Sequence, residues 1–411
     1  MNAINTADTS FIIFATALVM LMTPGLALFY GGMVRRKNVL STTVHSYAAM
    51  VIISLQWVLI GYTLCFGKDI AGFIGDFQFI GLQGVGFLPN PDYAATIPQS
   101  LFMLFQLMFA IITPALISGA IAERMKFIAF AVFILFWSLI VYDPIAHWVW
   151  GTGGWLKNLG ALDFAGGNVV HISSGVSALV AALVIGKRKK MKSITPHNIP
   201  MTLLGAGILW FGWFGFNAGS ALAINGVALN AFITTNTSAA AGAIAWSICE
   251  LVVRKKVTSL GIASGIIVGL VAITPGAGFV SPLSSILIGG IGGTICFFCV
   301  TVVKQKFGYD DALDAFGCHG VGGIWGGIAV GIFASEGINP AGANGLIYGN
   351  IKLLGIQLIA IVATIAYSAI MTFIILKVIG KFMSLRATSD EEMDGLDVSE
   401  HSEEAYGSID I

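Results

Sequence analysis

Charge is what this chain has least of. Only 10% of its residues are Asp, Glu, Lys or Arg, against about 25% in an ordinary soluble domain, so its surface cannot face water all round. With 56% apolar and aromatic residues and a mean hydropathy of +0.88, this scarcity excludes a cytosolic enzyme, a nucleic-acid binder and a disordered scaffold. Cysteine is scarce too. Cys65, Cys249, Cys296, Cys299 and Cys318 all fall in or beside apolar segments, where a free thiol packs as a small hydrophobe, and no disulfide framework is implied. Cys296 and Cys299 form a CxxC without a nearby His or Asp, so packing is favoured over metal binding. No nucleophile–base pair or metal-ligand cluster is visible; neither enzymatic activity nor a cofactor is expected.

What the chain does have is apolar length. A bilayer span needs about 20 apolar residues, and eleven such runs can be read: roughly 10–34, 40–66, 99–121, 127–147, 167–186, 199–220, 229–252, 258–275, 281–303, 316–334 and 346–376. The first lacks a basic leader region and is followed by Arg35-Arg36-Lys37, so it reads as a span rather than a cleaved signal. Counting spans places 18 of the 21 Lys and Arg residues on one side; only Lys68, Lys157 and Lys352 fall on the other. Basic loops face the cytoplasm, which predicts an outside amino terminus and a cytoplasmic tail. That tail is acidic: nine of the 21 acids lie from Asp390 to Asp410.

The expected fold is therefore all-α and polytopic, multi-pass in the cell membrane. Eleven spans suggest an inverted five-plus-five repeat, about 10–186 and 199–334, plus a final helix over 346–376, within a membrane domain of residues 1–380 followed by a tail of residues 381–411. The last run, about 46 Å long at 1.5 Å per residue, exceeds the hydrocarbon thickness and is expected to tilt.

Two histidines lie inside spans. His171 comes eight residues after Asp163, and His319 five after Asp314, which puts them about 12 and 8 Å from opposite faces. Ionisable groups at that depth usually line a pathway; the alternative is two unrelated histidines hydrogen-bonded in helix interfaces. Asp163 and Asp314 stand at helix amino-terminal ends, where an acid accepts free backbone N–H groups. Aromatics gather on the outer side: Phe105 and Phe109 at i, i+4, then Trp148 and Trp150, then the segment from Trp213 through Phe216 to Ser220. They read either as an interfacial belt or as a cage for a small cation. Gly323, Gly327 and Gly331 make two successive GxxxG steps, which let a neighbouring backbone come close.

The chain resembles the ammonium transporter, methylammonium permease and Rhesus family, most closely its bacterial and archaeal ammonium transporters. The likeness rests on Pro24 through Gly32, Ala122-Glu123-Arg124, Ala161 through Gly167 with Val170-His171, Gly212 through Ser220, Phe316 through Gly320 and Gly395-Leu396-Asp397. It implies an outer ammonium recruitment site at Phe105, Phe109, Trp150 and Ser220. It also implies an entrance closed by Phe109 and Phe216, a pore lined by Trp213 with His171 and His319 paired as a proton relay, and Asp163 as the entrance acid. It further implies a homotrimer in the bilayer whose cytoplasmic face is met by PII-type regulatory proteins. The expected function is ammonium transport, with an ammonium receptor of little flux and a passive channel for neutral ammonia or carbon dioxide as alternatives.

Overall fold

The computed structural model describes residues 4–189 and 195–407; Lys190 and Lys192 of the basic loops and Asp410 of the tail lie outside them. Among the described residues ten helices are long and apolar enough to cross a membrane. They are α1 (Thr6–Met33), α2 (Arg36–Phe66), α3 (Gln99–Ile121), α4 (Phe127–Leu159), α5 (Gly167–Ile185), α6 (Ile199–Gly219) and α7 (Gly226–Arg254), followed after α8 by α9 (Pro282–Phe307), α10 (Phe316–Phe333) and α11 (Ile351–Phe382). The eleventh, α8 (Ser259–Ile273), has 15 residues, about 22 Å, because Pro275 follows it and cannot extend it. Within α4 the helix proper reaches Trp150, three residues beyond the expected end, and breaks at Gly151 before the short helix Trp155–Leu159. α11 is shifted along the chain relative to its expected 346–376. Leu346–Tyr348 forms a separate tight turn, Gly349 takes φ +88°, and Asn350 caps the helix through Lys352 N. Among the described residues the only strands are two small hairpins between α2 and α3.

Glycine permits close helix contacts. A Cβ at Gly205 on α6 would stand 2.4 Å from Phe29 N on α1, so the first helices of the two half-chains touch backbone to backbone. α11 packs along α10, α5 and α4.

At the basic face, charges tie the loops together. Glu123 accepts from Arg35 N at 2.8 Å and from Asn38 Nδ2 at 3.0 Å, and its other oxygen accepts from Arg188 Nη1 at 3.0 Å. Arg188 grips Asp310 with two prongs, at 2.9 and 2.6 Å. Burial pushes both carboxyls up, but Arg35 and Arg188 outweigh it at Glu123, and Arg188 outweighs it at Asp310, which is held at about 2. A depressed carboxyl stabilises the fold above its ordinary pKa and ceases to do so as pH falls through the folded value. Asp310→Asn is therefore expected to lower stability by about 3 kcal/mol near neutrality, since it leaves Arg188 half-paired. The gap from the native protein should close as pH falls from about 4 to about 2. Melting in detergent across that range tests this; a gap independent of pH counts against it.

The tail seats on the same face. Its helix α12 (Ser389–Asp394) opens with a capping box between Thr388 and Glu391, and α13 (Leu396–His401) follows. Asn38 precedes the main run of α2 but makes no capping bond to it. Asp397 does so from the tail, accepting from Ser41 N at 2.8 Å, while Asn38 Oδ1 accepts from Leu396 N at 2.8 Å.

Candidate functional site

The site begins with a carboxylate. Asp163 Oδ1 accepts from the N–H groups of Gly166 and Gly167 at 2.8 and 2.6 Å, and Oδ2 from those of Asn168 and Val169 at 2.7 and 3.3 Å. Four free donors at the start of α5 thus converge on one side chain. The Asp163 carbonyl meanwhile accepts from Trp150 Nε1 at 2.9 Å, which fixes the indole at the mouth of α5.

The second half-chain repeats this device with a different residue from the one expected. Asp314 does not cap α10. It has φ +60° and directs its carboxylate to Lys304 Nζ at 2.5 Å. The cap is Asp311, which accepts from Ala315 N at 3.0 Å and Phe316 N at 2.7 Å. Asp311 precedes His319 by eight residues, the same interval as Asp163 to His171. That spacing was the available signal.

Both histidines sit in π turns, Gly167–Ile172 and Phe316–Gly320, rather than in the regular α-helix assumed for their depths. Turns of this kind are rare and cluster at functional positions. They bring His171 Nδ1 within 3.3 Å of His319 Nδ1, with the rings 5.4 Å apart and 24° from parallel. One glycine pair permits it: a Cβ at Gly175 would stand 2.1 Å from Gly320 N. The histidines are therefore partners across a helix contact, not unrelated core residues.

Aromatic rings continue the line. Trp213 stacks on His171 at 5.5 Å, and its Nε1 donates to Thr274 Oγ1 at 2.9 Å. Phe109 and Phe216 lie 4.3 Å apart, tilted by 37°, and Trp150 meets Phe109 edge-on at 5.9 Å. Two spaces flank the phenylalanine pair. One, about 180 Å³, is lined by Phe109, Trp150 and Ser220. The other, about 10 Å³, is bounded by Phe216, Trp213, His171, His319 and apolar side chains including Phe29. The first can hold a small ion, and the second holds about one water-sized molecule. Ser220 Oγ donates to Phe216 O at 2.8 Å, so its lone pairs remain as acceptors. His171 Nε2 has no partner among the described residues.

Two expected residues stand elsewhere. Phe105 does not line the larger cavity. It is fully buried and backs Phe109 at 5.0 Å, in the space left by Gly219. Trp148 is neither belt nor cage: it is buried and donates to Phe73 O at 2.9 Å. Sequence reasoning missed Thr274, which holds Trp213 from 61 residues away, and Gln106, Asp92, Tyr93 and Lys157, which share the cavity wall with Trp150. The Gln106 side-chain carbonyl is buried there without a partner among the described residues. Among those residues no three His, Cys, Asp or Glu side chains form a group able to hold a metal.

A sequence profile of the Ammonium Transporter Family matches residues 10–406. An ammonium transporter of Bacillus subtilis is 59% identical over 401 residues, 97% of this chain and 98% of that protein. Ammonium transporter Amt1 of Archaeoglobus fulgidus is 48% identical over 402 residues, 97% and 99% of the two chains. Among solved structures, Saccharomyces cerevisiae Mep2 superposes with a TM-score of 0.88 at 38% identity, covering 94% of this chain and 88% of that one. A sensor Amt protein does so with a TM-score of 0.88 at 31% identity, covering 96% and 98%. With a family match over nearly its whole length and relatives this similar, the chain belongs to the ammonium transporter family.

Proposed function

We propose that this protein carries ammonium inward across the cell membrane by separating it into ammonia and a proton. The observation that carries the reading is the 3.3 Å histidine pair in an otherwise apolar passage beneath an aromatic cavity. Ammonium enters the larger cavity with its charge over the Trp150 and Phe109 rings and an N–H on Ser220 Oγ. A cation–π contact contributes about 0.5–2 kcal/mol, enough for several contacts to offset partial dehydration. Carrying the intact ion to the bilayer centre costs about 2.5–3.5 kcal/mol on the lenient scale and far more on others. One N–H bond instead breaks at the entrance and its electron pair stays on nitrogen. Neutral ammonia passes Phe109, Phe216 and Trp213, while the proton moves along His171 and His319. The two recombine at the far side.

The basic face is placed in the cytoplasm and the amino terminus outside. The protein is placed in the bilayer as a homotrimer, with PII-type proteins meeting its basic face. Reconstituted protein given an ammonium step tests the function. Electrogenic uptake is expected; uptake without current favours a passive channel. A second reading, a receptor with little flux, is favoured by the similarity to a sensor Amt protein, and binding without uptake would establish it.

Asp163 shapes the entrance by capping rather than by contact with the ion, because both its oxygens already accept two N–H groups each. Asp163→Asn keeps one acceptor oxygen and turns an NH2 towards the remaining donors; Asp163→Ala removes both oxygens and costs about 1 kcal/mol of helix stability. Transport is expected to fall in Asn and further in Ala. Equal loss in the two variants would assign the role to the charge.

A further inference from the structure

We infer that Lys157 is a tethered cation that sets the affinity of the outer cavity for ammonium, an inference that rests on the recruitment reading above. Its ammonium group donates to Trp150 O at 3.0 Å and lies 5.9 Å from the centroid of the Tyr93 ring. Lys157, Tyr93 and Asp92 line the same cavity as Trp150, Phe109 and Ser220. A carbonyl acceptor, an aromatic face and a nearby carboxylate are the groups that recognise ammonium itself. Here they receive a primary alkylammonium that belongs to the chain, one carbon substituent away from the substrate.

The receiving groups are held in place. The turn closed by Tyr93 N to Asn90 O at 3.1 Å sets Asp92 and Tyr93 at the rim. Tyr93 stacks on Phe102, 5.3 Å apart and 14° from parallel, and its hydroxyl donates to Phe66 O at 2.9 Å. The lysine head therefore meets a rigid wall, and its charge stands at a fixed place on the backbone carbonyl of Trp150, whose indole lines the same cavity.

Two like charges in a cavity of about 180 Å³ repel each other. At separations of several ångströms in a water-filled vestibule the repulsion amounts to roughly a threefold to tenfold loss of affinity. It acts on loading of the site and not on the passage beneath it. Asp92, at the same rim, offsets part of it.

The test is ammonium-step current from the full chain in liposomes. In Lys157→Gln the KM is expected to fall roughly threefold to tenfold, with the change on KM rather than on maximal current. Lys157→Arg keeps the charge and should keep the native KM. Raising ionic strength with N-methylglucamine chloride should shrink the difference between native and Gln forms, because salt screens exposed charges. Trp150→Leu serves as the control for recruitment and should raise KM. If Trp150→Leu raises KM while Lys157→Gln leaves it unchanged, the tether is wrong and the recruitment site stands. Equal shifts in Gln and Arg, or a difference that salt does not touch, would make Lys157 a structural prop for Trp150 and overturn the proposal. If Trp150→Leu leaves KM unchanged, the aromatic recruitment reading falls, and the tether, which rests on it, falls with it.

Discussion

Gly175→Ala is expected to lower ammonium-driven current by about tenfold to a hundredfold while the protein still folds and inserts. The added Cβ would stand 2.1 Å from Gly320 N and 2.4 Å from Gly320 Cα. Both are backbone atoms and cannot swing aside, so α5 and α10 must part by roughly 1 Å to reach ordinary contact. His171 lies one turn before Gly175, and His319 is the neighbour of Gly320, so the parting falls on the imidazoles. Their nitrogens, 3.3 Å apart, would leave hydrogen-bonding range, and misplacement of about 1 Å in a reacting pair can cost about a hundredfold. The fold itself should lose only about 1–3 kcal/mol, the usual cost of overpacking. Gly290→Ala is the control, since nothing lies within 4 Å of its added Cβ. Current and melting temperature measured on both variants decide the matter, and native current in Gly175→Ala would refute the need for close histidine contact.

Replacing either histidine by Gln is expected to lower electrogenic transport by about a hundredfold or more, within the range attributed to positioned proton transfer. A neutral imidazole donates from one nitrogen and accepts at the other, so each ring of the pair can pass a proton on by exchanging those roles. Gln fills much of the same space and forms hydrogen bonds but takes up no proton near neutral pH. The comparison thus separates a relay from a spacer. Uptake of neutral ammonia could persist in the Gln variants without charge movement, so current and uptake are to be measured together. Native-like, pH-dependent current in both His171→Gln and His319→Gln would sink the relay and leave the pair a role in shaping the passage.

The internal symmetry of the site was half legible. Asp163 and His171 could be read as a pair from their spacing, and the same eight-residue interval ends at Asp311. Asp314 also stands at the amino-terminal end of its helix and follows a Leu as Asp163 does, so the sequence points to it instead. Backbone conformation overrules that position: at φ +60°, Asp314 faces Lys304, and the N–H groups of Ala315 and Phe316 are left to Asp311. Phe105 misleads for a related reason. Helical spacing puts it on the same side as Phe109, but Gly219 on α6 opens a slot that takes its ring out of the cavity wall.

The number, order and approximate limits of the spans followed from the sequence alone. A helix in lipid must satisfy its own backbone and cover it with apolar side chains, so each crossing is written as one contiguous run. The two histidines and the entrance aromatics were visible as residues for the same reason, since polar or ring-bearing positions stand out in such runs. Which of them meet was decided only by tertiary structure. The Gly175–Gly320 contact joins helices 145 residues apart, Thr274 reaches Trp213 across 61, and Lys157 finds Tyr93 across 64. Hydropathy records the depth of a residue in the bilayer, whereas the partner it meets there depends on how closely the helices pack, and a missing side chain on a neighbouring helix sets that.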